Sequence, residues 1–504
     1  MSEGGITRGE VARGAGLAGL ARLSALIEAL AQPLFTWLFG LATYGVYVAL
    51  WGAVNLISNL ADLSMTSALQ RVVPGEDEEE RAHAAVKGAL LAALSFAILI
   101  SAVVTWNAEA IAGIFSAAPQ DRAALPRAVA LFIWALPLWT FVEVATSAAR
   151  ARRAFGPEIR LRVFWEQCAR IVFALGFFLI GFRSLGLMAA HLSSLALTAA
   201  LCVPLLGRYY DLKLLVRAPL RRRGALSLLG AGIALLPANL ARRLLIDAPP
   251  LALNLMIPGT GGAVASGVFE IARKIATVPL IVRQAFQYVM APLSAAQART
   301  SRAEIAPLYR FASRVSTALV VPLAGLLVFA GSDILSLYRP EARAALPLLY
   351  ILVAARAAEA IVGPATPIVE MTGHRALPLV NSLVAVAVWA ALTWWLVPLH
   401  GALGMAISVA AATLATAYAA TLELQVSDKL SPFDSKLLRG LAVALIGVAL
   451  MGLADQATRG PLGFALILLL WAGASWCALR FGLARADREA LGGLSRRLRL
   501  VPQP

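Results

Sequence analysis

The chain has 504 residues, of which 60% are hydrophobic and 14% are charged, and its formal net charge is +16. Soluble domains are about 45–50% apolar and about 25% charged, so this composition excludes a soluble enzyme, a disordered protein and a fibrous protein. The apolar runs are about 20 residues long, which is typical of membrane-spanning helices and not of the alternating strands of a barrel. We therefore predict an all-α polytopic membrane protein.

The sequence predicts fourteen transmembrane spans, each with about 20 mainly apolar residues. The polar start of the chain and the long first apolar run argue against a cleaved signal peptide. In chain order the spans cover residues 17–40, 44–69, 85–105, 126–148, 161–181, 185–207, 225–246, 263–290, 313–335, 344–370, 376–398, 401–424, 437–455 and 461–480.

The distribution of Lys and Arg predicts the orientation of these spans. With the N-terminus inside, the inner loops and the tail carry about 30 Lys and Arg, and the outer loops carry six. Both termini are therefore predicted to be cytoplasmic. This asymmetry also accounts for the net charge of +16 without nucleic acid as a partner. The loops are short, so an extramembrane catalytic domain is not expected.

An offset of about 218 residues aligns similar segments in the two halves of the chain. It aligns residues 39–51 with 257–269, and residues 184–197 with 402–415. Because six spans separate the copies, they have the same orientation, as in a parallel repeat. The predicted division is a six-helix lobe at 1–215, a second at 216–425, and two extra helices with a basic cytoplasmic tail at 426–504.

Eight cations fall inside predicted spans, although each costs about 2.5–3.5 kcal/mol at the centre of a lipid-exposed helix. They must face a wet cavity, pair with acids, or extend to the membrane surface. The cations are Arg22, Arg170, Arg242, Arg243, Arg273, Lys274, Arg283 and Arg356. The candidate acidic partners are Glu28, Asp62, Glu143, Glu166, Asp247, Glu270 and Glu359.

Two spans carry a polar face at helical spacing. In the eighth span this face either lines a cavity or reflects pairing of Glu270 with Arg273 or Lys274. In the second span the face lines the pathway, coordinates a coupling cation, or joins helices by hydrogen bonds. The eighth-span face comprises Glu270, Arg273, Lys274, Thr277, Gln284 and Gln287, and the second-span face comprises Asn55, Ser58, Asn59 and Asp62.

Arginine recurs at related places of the two halves, Arg22 in the first span and Arg242 and Arg243 in the seventh. The planar guanidinium binds phosphate through two parallel hydrogen bonds, so this excess of cations favours an anionic substrate. The alternative for Arg22 is extension to the membrane surface, and for Arg242 and Arg243 it is a pair with Asp247. The predicted pyrophosphate site comprises Arg22, Arg242, Arg243, Arg273 and Lys274, and the predicted cavity lining comprises Asn55, Asn59, Asp62, Glu270 and Gln284.

No motif for a cofactor or an energy source is present in the sequence. It contains no P-loop, HExxH, GxSxG or glycine-rich nucleotide motif, and its histidines lack the spacing of metal ligands. Cys168, Cys202 and Cys477 lie in apolar surroundings and form no CxxC pair. We expect no metal, no cofactor and no enzymatic activity, and we expect an ion gradient or the substrate gradient to drive transport.

Five stretches resemble the MOP exporter superfamily, and within it the polysaccharide-repeat (Wzx-type) flippases of lipopolysaccharide biosynthesis. The opening segment at 38–73 looks like the family's Leu-Gly-x-x-x-Tyr-Gly turn, with Phe39 before Gly40 in this chain. A helix follows, and then an Asp-Leu segment in which Ser64 replaces the usual glycine. The other similar stretches are residues 142–171, 267–298, 369–380 and 396–410.

The resemblance implies two six-helix lobes in a V, which move undecaprenyl-pyrophosphate-linked oligosaccharide across the bacterial inner membrane by alternating access. It implies that Arg22 and Arg273 are counterparts of the pyrophosphate-binding arginines of lipid II flippases, and that spans 13 and 14 form a groove for the lipid tail. The implied partners are the bilayer, a coupling proton or sodium ion, and polysaccharide polymerase machinery.

Two other functions compete with this interpretation. One is a cation-coupled multidrug exporter of the same superfamily, against which the arginine-rich spans argue. The other is a membrane-embedded enzyme that acts on lipid-linked sugar, against which the short outer loops argue.

Overall fold

The structure is a computed structural model that describes residues 27, 30–75, 78–152, 154, 159–220, 222–282, 305–371, 377–458, 460–491 and 493–501. The described residues are helical and contain no β-strand. This confirms the predicted all-α polytopic fold class.

Fourteen helices, numbered in chain order, overlap the predicted spans. They are α1 Leu30–Phe39, α2 Leu41–Ala61, α3 Glu79–Trp106, α4 Leu125–Ala151, α5 Glu166–Leu179, α6 Gly186–Tyr209, α7 Arg222–Met256, α8 Gly259–Ile275, α9 Ile305–Phe329, α10 Leu346–Val362, α11 Leu377–His400, α12 Ala402–Ser427, α13 Ser435–Ala457 and α14 Pro461–Gly482.

Short helices and turns connect them. These are Met65–Val72, Val73–Gly75, Ala108–Ile114, Pro119–Arg122, a π-helical turn at Ile159–Trp165, Leu212–Arg217, Gly331–Ser336, Pro340–Ala345, Ala365–Met371, Arg485–Ala490 and Gly493–Arg497.

Ten helices in the described part of the chain are long and apolar enough to cross a membrane, fewer than the fourteen predicted spans. The remaining predicted spans coincide with α1, α5, α7 and α8. α1, α5 and α8 are short in the described residues, with α5 starting only after the π-helical turn. α7 carries Arg242, Arg243 and Asp247 within its length. The chain is a multi-pass membrane protein.

A glycine lies at the start of the second helix of each predicted repeat. Gly40, with φ of 88°, precedes α2, and Gly259, with φ of 66°, begins α8. Both backbone angles lie in the left-handed region that glycine adopts without a steric cost. These positions lie about 218 residues apart, as the repeat predicts.

The described residues divide into two compact units, which we call the N-terminal unit (up to Glu270) and the C-terminal unit (from Ile271). In the N-terminal unit the core joins α3, α4, α6 and the helix at Met65–Val72. Met65, Val86, Val144 and Cys202 are each 0% exposed there. The lobe boundaries after residues 215 and 425 stay a prediction.

Helix α3 has one buried face and one exposed face, and both are apolar. Its buried stripe consists of small residues, among them Ala89, Ala93 and Ala97, while Leu99 and Val103 are exposed. Small residues let membrane helices approach closely, and the larger apolar residues meet lipid. The exposed apolar face of α3 is therefore the face that a bilayer covers.

In the C-terminal unit α13 and α14 pack against each other and against α9. A Cβ atom added to Gly447 would lie 2.2 Å from the Cβ of Ala474, and one added to Gly482 would lie 2.6 Å from the Cα of Gly440. These contacts require glycine because the two backbones approach too closely for a side chain. The two extra helices thus belong to the packed core of their unit.

Candidate functional site

The polar face of α2 is buried within the N-terminal unit. Ser58 is 0% exposed and its hydroxyl lies 3.4 Å from that of Thr140 on α4. Asn59 donates a hydrogen bond of 2.8 Å to the carbonyl of Asn55 on its own helix. Among the described contacts of this face, Ser58 joins two helices, as the packing alternative predicted. The cavity-lining role of Asn55 and Asn59 stays a prediction.

A left-handed turn after α2 positions Asp62. Leu63 and Ser64 have φ values of 49° and 56°, in the region that glycine prefers, which explains why glycine is usual at the position of Ser64 in the family pattern. The Ser64 hydroxyl accepts a hydrogen bond of 3.2 Å from Asn239 on α7. Thr66 donates its hydroxyl to the Asp62 carboxylate at 2.8 Å. These bonds fix the carboxylate at the end of α2.

Glu143 lies between two arginines of the same unit. Its carboxylate is 3.4 Å from the guanidinium of Arg162 and 3.7 Å from that of Arg243 on α7. Arg243 also lies 3.7 Å from Asp247, one helical turn further along. The charge of Asp62 is within electrostatic range of Glu143 and Arg243. We call these five residues the arginine–carboxylate cluster.

The ion pairs of this cluster are long. Distances of 3.4 to 3.7 Å exceed the roughly 2.7–2.9 Å of a tight charge-assisted hydrogen bond. Glu143 is buried, whereas the Arg243 side chain is 36% exposed. The Arg162 guanidinium is further supported by the Trp139 ring, whose centre is 4.4 Å away.

The other predicted phosphate-binding residues are Arg22, Arg242, Arg273 and Lys274. Arg242 is exposed on α7, whereas Arg273 and Lys274 are half-buried in the last turn of α8. The C-terminal end of a helix favours cations because of the helix dipole. Arg22 and Gln284 lie outside the described residues. The shared role of these cations in phosphate binding stays a prediction.

Glu270 is 4% exposed in α8, close to the end of the described polar face. α8 ends at Ile275, so the polar face predicted to continue to residue 290 is helical only over its first turns in the described residues. The pairing of Glu270 with Arg273 or Lys274 and its alternative, a cavity lining, both stay predictions.

A second buried cluster joins α2, α5 and α6, and the sequence did not reveal it. Arg170 donates to the Tyr47 hydroxyl at 3.3 Å and pairs with Glu166. The Tyr47 hydroxyl lies 3.0 Å from Nδ1 of His191, whose Nε2 faces the Glu166 carboxylate at 3.7 Å. Which atom of the Tyr47–His191 pair donates depends on the tautomer of the imidazole.

The only sequence signal for this second cluster is the spacing of Glu166 and Arg170, which places them on one face of a helix. Tyr47 and His191 are far away in sequence and gave no local signal. All four residues are at most 5% exposed. A charge so deeply buried has to be paired within the protein, and the cluster satisfies this requirement.

The C-terminal unit pairs its intramembrane charges within helices and between neighbours. Arg356 and Glu359 lie 2.9 Å apart on α10. The Asn381 amide on α11 donates to Glu423 on α12 at 2.8 Å. Arg356 was predicted as an intramembrane cation with an acidic partner, and Glu359 is that partner.

Arg314 on α9 joins the N-terminal end of α13 to the segment after α14. Its guanidinium binds Asp434, the N-cap residue of α13, and Asp487. Partial burial raises the pKa of Asp434, but hydrogen bonds from Arg314 and from the Leu437 amide outweigh it, so the pKa lies below its usual value of 3.8.

Within the described part of the chain, no group of three or more His, Cys, Asp or Glu side chains could hold a metal ion. Cys168, Cys202 and Cys477 are free thiols, and Cys202 is 0% exposed.

Many apolar helices and buried intramembrane charges define a polytopic helical membrane protein. Neither a protein-family model nor a curated protein matches the chain. Solved structures do match. The lipid II flippase MurJ in its inward closed conformation has a TM-score of 0.75 at 11% identity, over 92% of this chain and 97% of that chain.

A multidrug resistance MATE family transporter of the MOP superfamily also matches in two conformations. The inward-facing one has a TM-score of 0.63 at 14% identity, over 82% of this chain and 93% of that chain. The outward-facing one has a TM-score of 0.57 at 13% identity, over 82% and 94%. The chain therefore has the fold of the MOP exporter superfamily, as the sequence resemblance predicted. These structural neighbours are transporters and flippases.

Proposed function

We propose that the chain is a flippase that moves an undecaprenyl-pyrophosphate-linked oligosaccharide across the bacterial inner membrane by alternating access. Both termini are cytoplasmic in this proposal, and a proton or sodium gradient drives the cycle. The proposal is supported by the likeness to a lipid II flippase and by the cations in the apolar helices. The observation that carries it is the position of Arg162 and Arg243 beside one buried carboxylate, that of Glu143.

The chemistry follows from the charges that have to cross the membrane. A diphosphate cannot enter about 30 Å of hydrocarbon without a replacement for its hydration. Arg243 and Arg162 share one carboxylate, and their planar guanidinium groups match phosphate oxygens better than the loose geometry seen with Glu143. Binding of the diphosphate in place of Glu143 offsets the loss of water, while the polyprenyl chain remains in lipid.

The test is transfer of a short-sugar polyprenyl-pyrophosphate between the leaflets of liposomes that contain the purified protein. We compare the wild type with Arg243→Gln, Arg273→Gln and Arg22→Gln, and use Arg127→Gln, an exposed arginine in the first turn of α4, as the control. Loss of transfer in the first three variants, with transfer kept in the control, supports the flippase and its site. Transfer that survives in all four variants supports the flippase function and contradicts the proposed phosphate-binding site.

A multidrug exporter is the second candidate, and the buried acids Asp62, Glu143 and Asp247 favour it. Such carboxylates attract cationic drugs when a proton gradient lets them release and bind protons. Drug accumulation driven by an imposed gradient, without transfer of the lipid-linked sugar, would identify this function. A change in the mass of the sugar lipid would instead identify an enzyme.

A further inference from the structure

The segment after α14 folds back onto the C-terminal unit. We call residues 485–501 the C-terminal tail; it contains the helices Arg485–Ala490 and Gly493–Arg497. Near its end, Leu500 is 0% exposed and packs in one core cluster with Val315 of α9, Ala444 of α13 and Ala478 of α14. An apolar side chain of the tail is thus part of the core of three helices.

Two hydrogen bonds fix the position of the tail along α14. The indole Nε1 of Trp476 donates to the carbonyl of Leu498 at 2.9 Å, and Arg480 donates to the carbonyl of Leu500 at 2.7 Å. The donors lie one turn apart on α14, so the tail runs beside the last turns of this helix. Its depth in the membrane is therefore tied to the depth of α14.

The exposed residues of α14 form an apolar face about as long as the hydrocarbon layer is thick. Leu462 is 81% exposed, Leu469 71% and Phe481 52%, so an apolar outer face runs from the first to the last turn. Its length is about 28 Å at 1.5 Å per residue, close to the roughly 30 Å of a bilayer core. Phe481 lies at the end of this apolar face, and Leu498, 37% exposed, is held by Trp476 beside the last turns of α14.

Three arginines flank Leu498 in the sequence of the tail. Arg496, Arg497 and Arg499 are all exposed. The two carboxylates of the tail are engaged elsewhere, because Asp487 binds Arg314 and Glu489 lies 3.0 Å from Arg485. The outer surface of the tail therefore combines three cations with one exposed leucine. This combination suits the interface between hydrocarbon and headgroups.

We propose that Arg496, Arg497 and Arg499 form a contact surface for the phosphate headgroups of anionic phospholipids, with Leu498 inserted at the edge of the hydrocarbon. The charge complementarity and the depth of the tail support this partner. The predicted orientation assigns this surface to the cytoplasmic leaflet, where anionic lipids attract basic segments. Because Leu500 and Arg314 connect the tail to α9, α13 and α14, lipid contact also stabilises the packing of these helices. The proposal does not depend on the transported substrate.

The test uses the full chain in nanodiscs of phosphatidylcholine alone or with 30% phosphatidylglycerol. Hydrogen–deuterium exchange is measured on the amides of residues 493–501. Anionic lipid is expected to slow exchange about tenfold in the wild type, because each basic residue near an anionic surface contributes to binding. The triple variant R496Q/R497Q/R499Q is expected to lose this difference, and high salt is expected to reduce it.

A matched control removes three exposed cations of the same predicted side, in R208Q/K213Q/R217Q of the N-terminal unit. It is expected to keep the lipid-dependent protection of the tail. Equal melting temperatures of both triple variants in phosphatidylcholine exclude misfolding as the cause. Protection that is the same in both lipids, that persists in the arginine variant, or that free inorganic phosphate reproduces in phosphatidylcholine would overturn the proposal.

Discussion

The guanidinium of Arg243 on α7 lies 3.7 Å from the carboxylate of Glu143 on α4. The contact joins two helices that each carry a charge into an apolar segment. The proposed function requires this pair to exchange with an anion of better geometry. The first two predictions test Arg243 and Glu143 separately.

Replacement of Arg243 by glutamine is expected to reduce transfer of lipid-linked pyrophosphate at least tenfold. It removes the more exposed cation of the arginine–carboxylate cluster and leaves Glu143 and Asp247 with less compensation. Transfer by Arg243→Lys is expected to lie between that of the wild type and that of Arg243→Gln, because lysine keeps the charge but lacks the planar pair of donors. Transfer is measured in liposomes from the leaflet-specific accessibility of the sugar.

The melting temperatures of the Arg243 variants show whether each variant is still folded. Breaking a fully buried pair costs about 3–5 kcal/mol, and the partial exposure of Arg243 makes the loss smaller. Full transfer by a well-folded Arg243→Gln protein would contradict a role for this arginine in phosphate binding.

Replacement of Glu143 by glutamine is expected to tighten binding of a soluble pyrophosphate about tenfold. The substitution removes the negative charge that competes for Arg162 and Arg243 while it preserves the side-chain shape. Binding is measured by isothermal titration on the purified protein. Glu109→Gln removes the same charge from an exposed position and serves as the control. Unchanged or weaker binding in Glu143→Gln would show that Glu143 does not compete with the anion.

Replacement of Gly45 by alanine is expected to destabilise the N-terminal unit. The added Cβ would lie 1.7 Å from the carbonyl oxygen of Ala263, so α2 and α8 would have to separate. Overpacking costs about 1–3 kcal/mol, and a clash with backbone belongs at the upper end of this range. The melting temperature in detergent provides the measurement.

Gly176→Ala is the matched control for Gly45→Ala, because nothing lies within 4 Å of a Cβ at that helical position. It is expected to be neutral or to stabilise by at most about 1 kcal/mol. Equal melting temperatures for the two alanine variants would disprove the close approach of α2 and α8.

Replacement of Asp434 by asparagine is expected to lower stability near neutral pH by about 1 kcal/mol. Asparagine is also a good N-cap, so the substitution isolates the charge interaction with Arg314. The pKa of Asp434 in the folded protein lies below its usual 3.8. The stabilisation of the folded protein by the charge of Asp434 is therefore complete above about pH 5, and it is lost as the pH falls through the lowered pKa.

The difference in melting temperature between wild type and Asp434→Asn, measured from pH 7 down to pH 3.5, checks this prediction. The difference should narrow toward the acidic end. A constant difference over this range would mean that the charge of Asp434 contributes nothing and that only local geometry is affected.

The sequence by itself determined the helical membrane fold. The length of a spanning segment follows from the thickness of the bilayer and from local hydrogen bonding, so runs of about 20 apolar residues are sufficient to predict it. Ten of the fourteen predicted spans coincide with helices of the described residues that are long and apolar enough to cross a membrane. The pairs Arg243–Asp247 and Glu166–Arg170 were also readable, because both follow the spacing of one helical turn.

Only the tertiary structure decided which helices bring their charges together. Glu143 lies between Arg162 and Arg243, and Tyr47 meets His191, because the helices pack side by side. Helical periodicity fixes the face on which a residue lies but carries no information about the helix that this face meets. For the same reason the burial of Leu500 among α9, α13 and α14 could not be read from a basic tail.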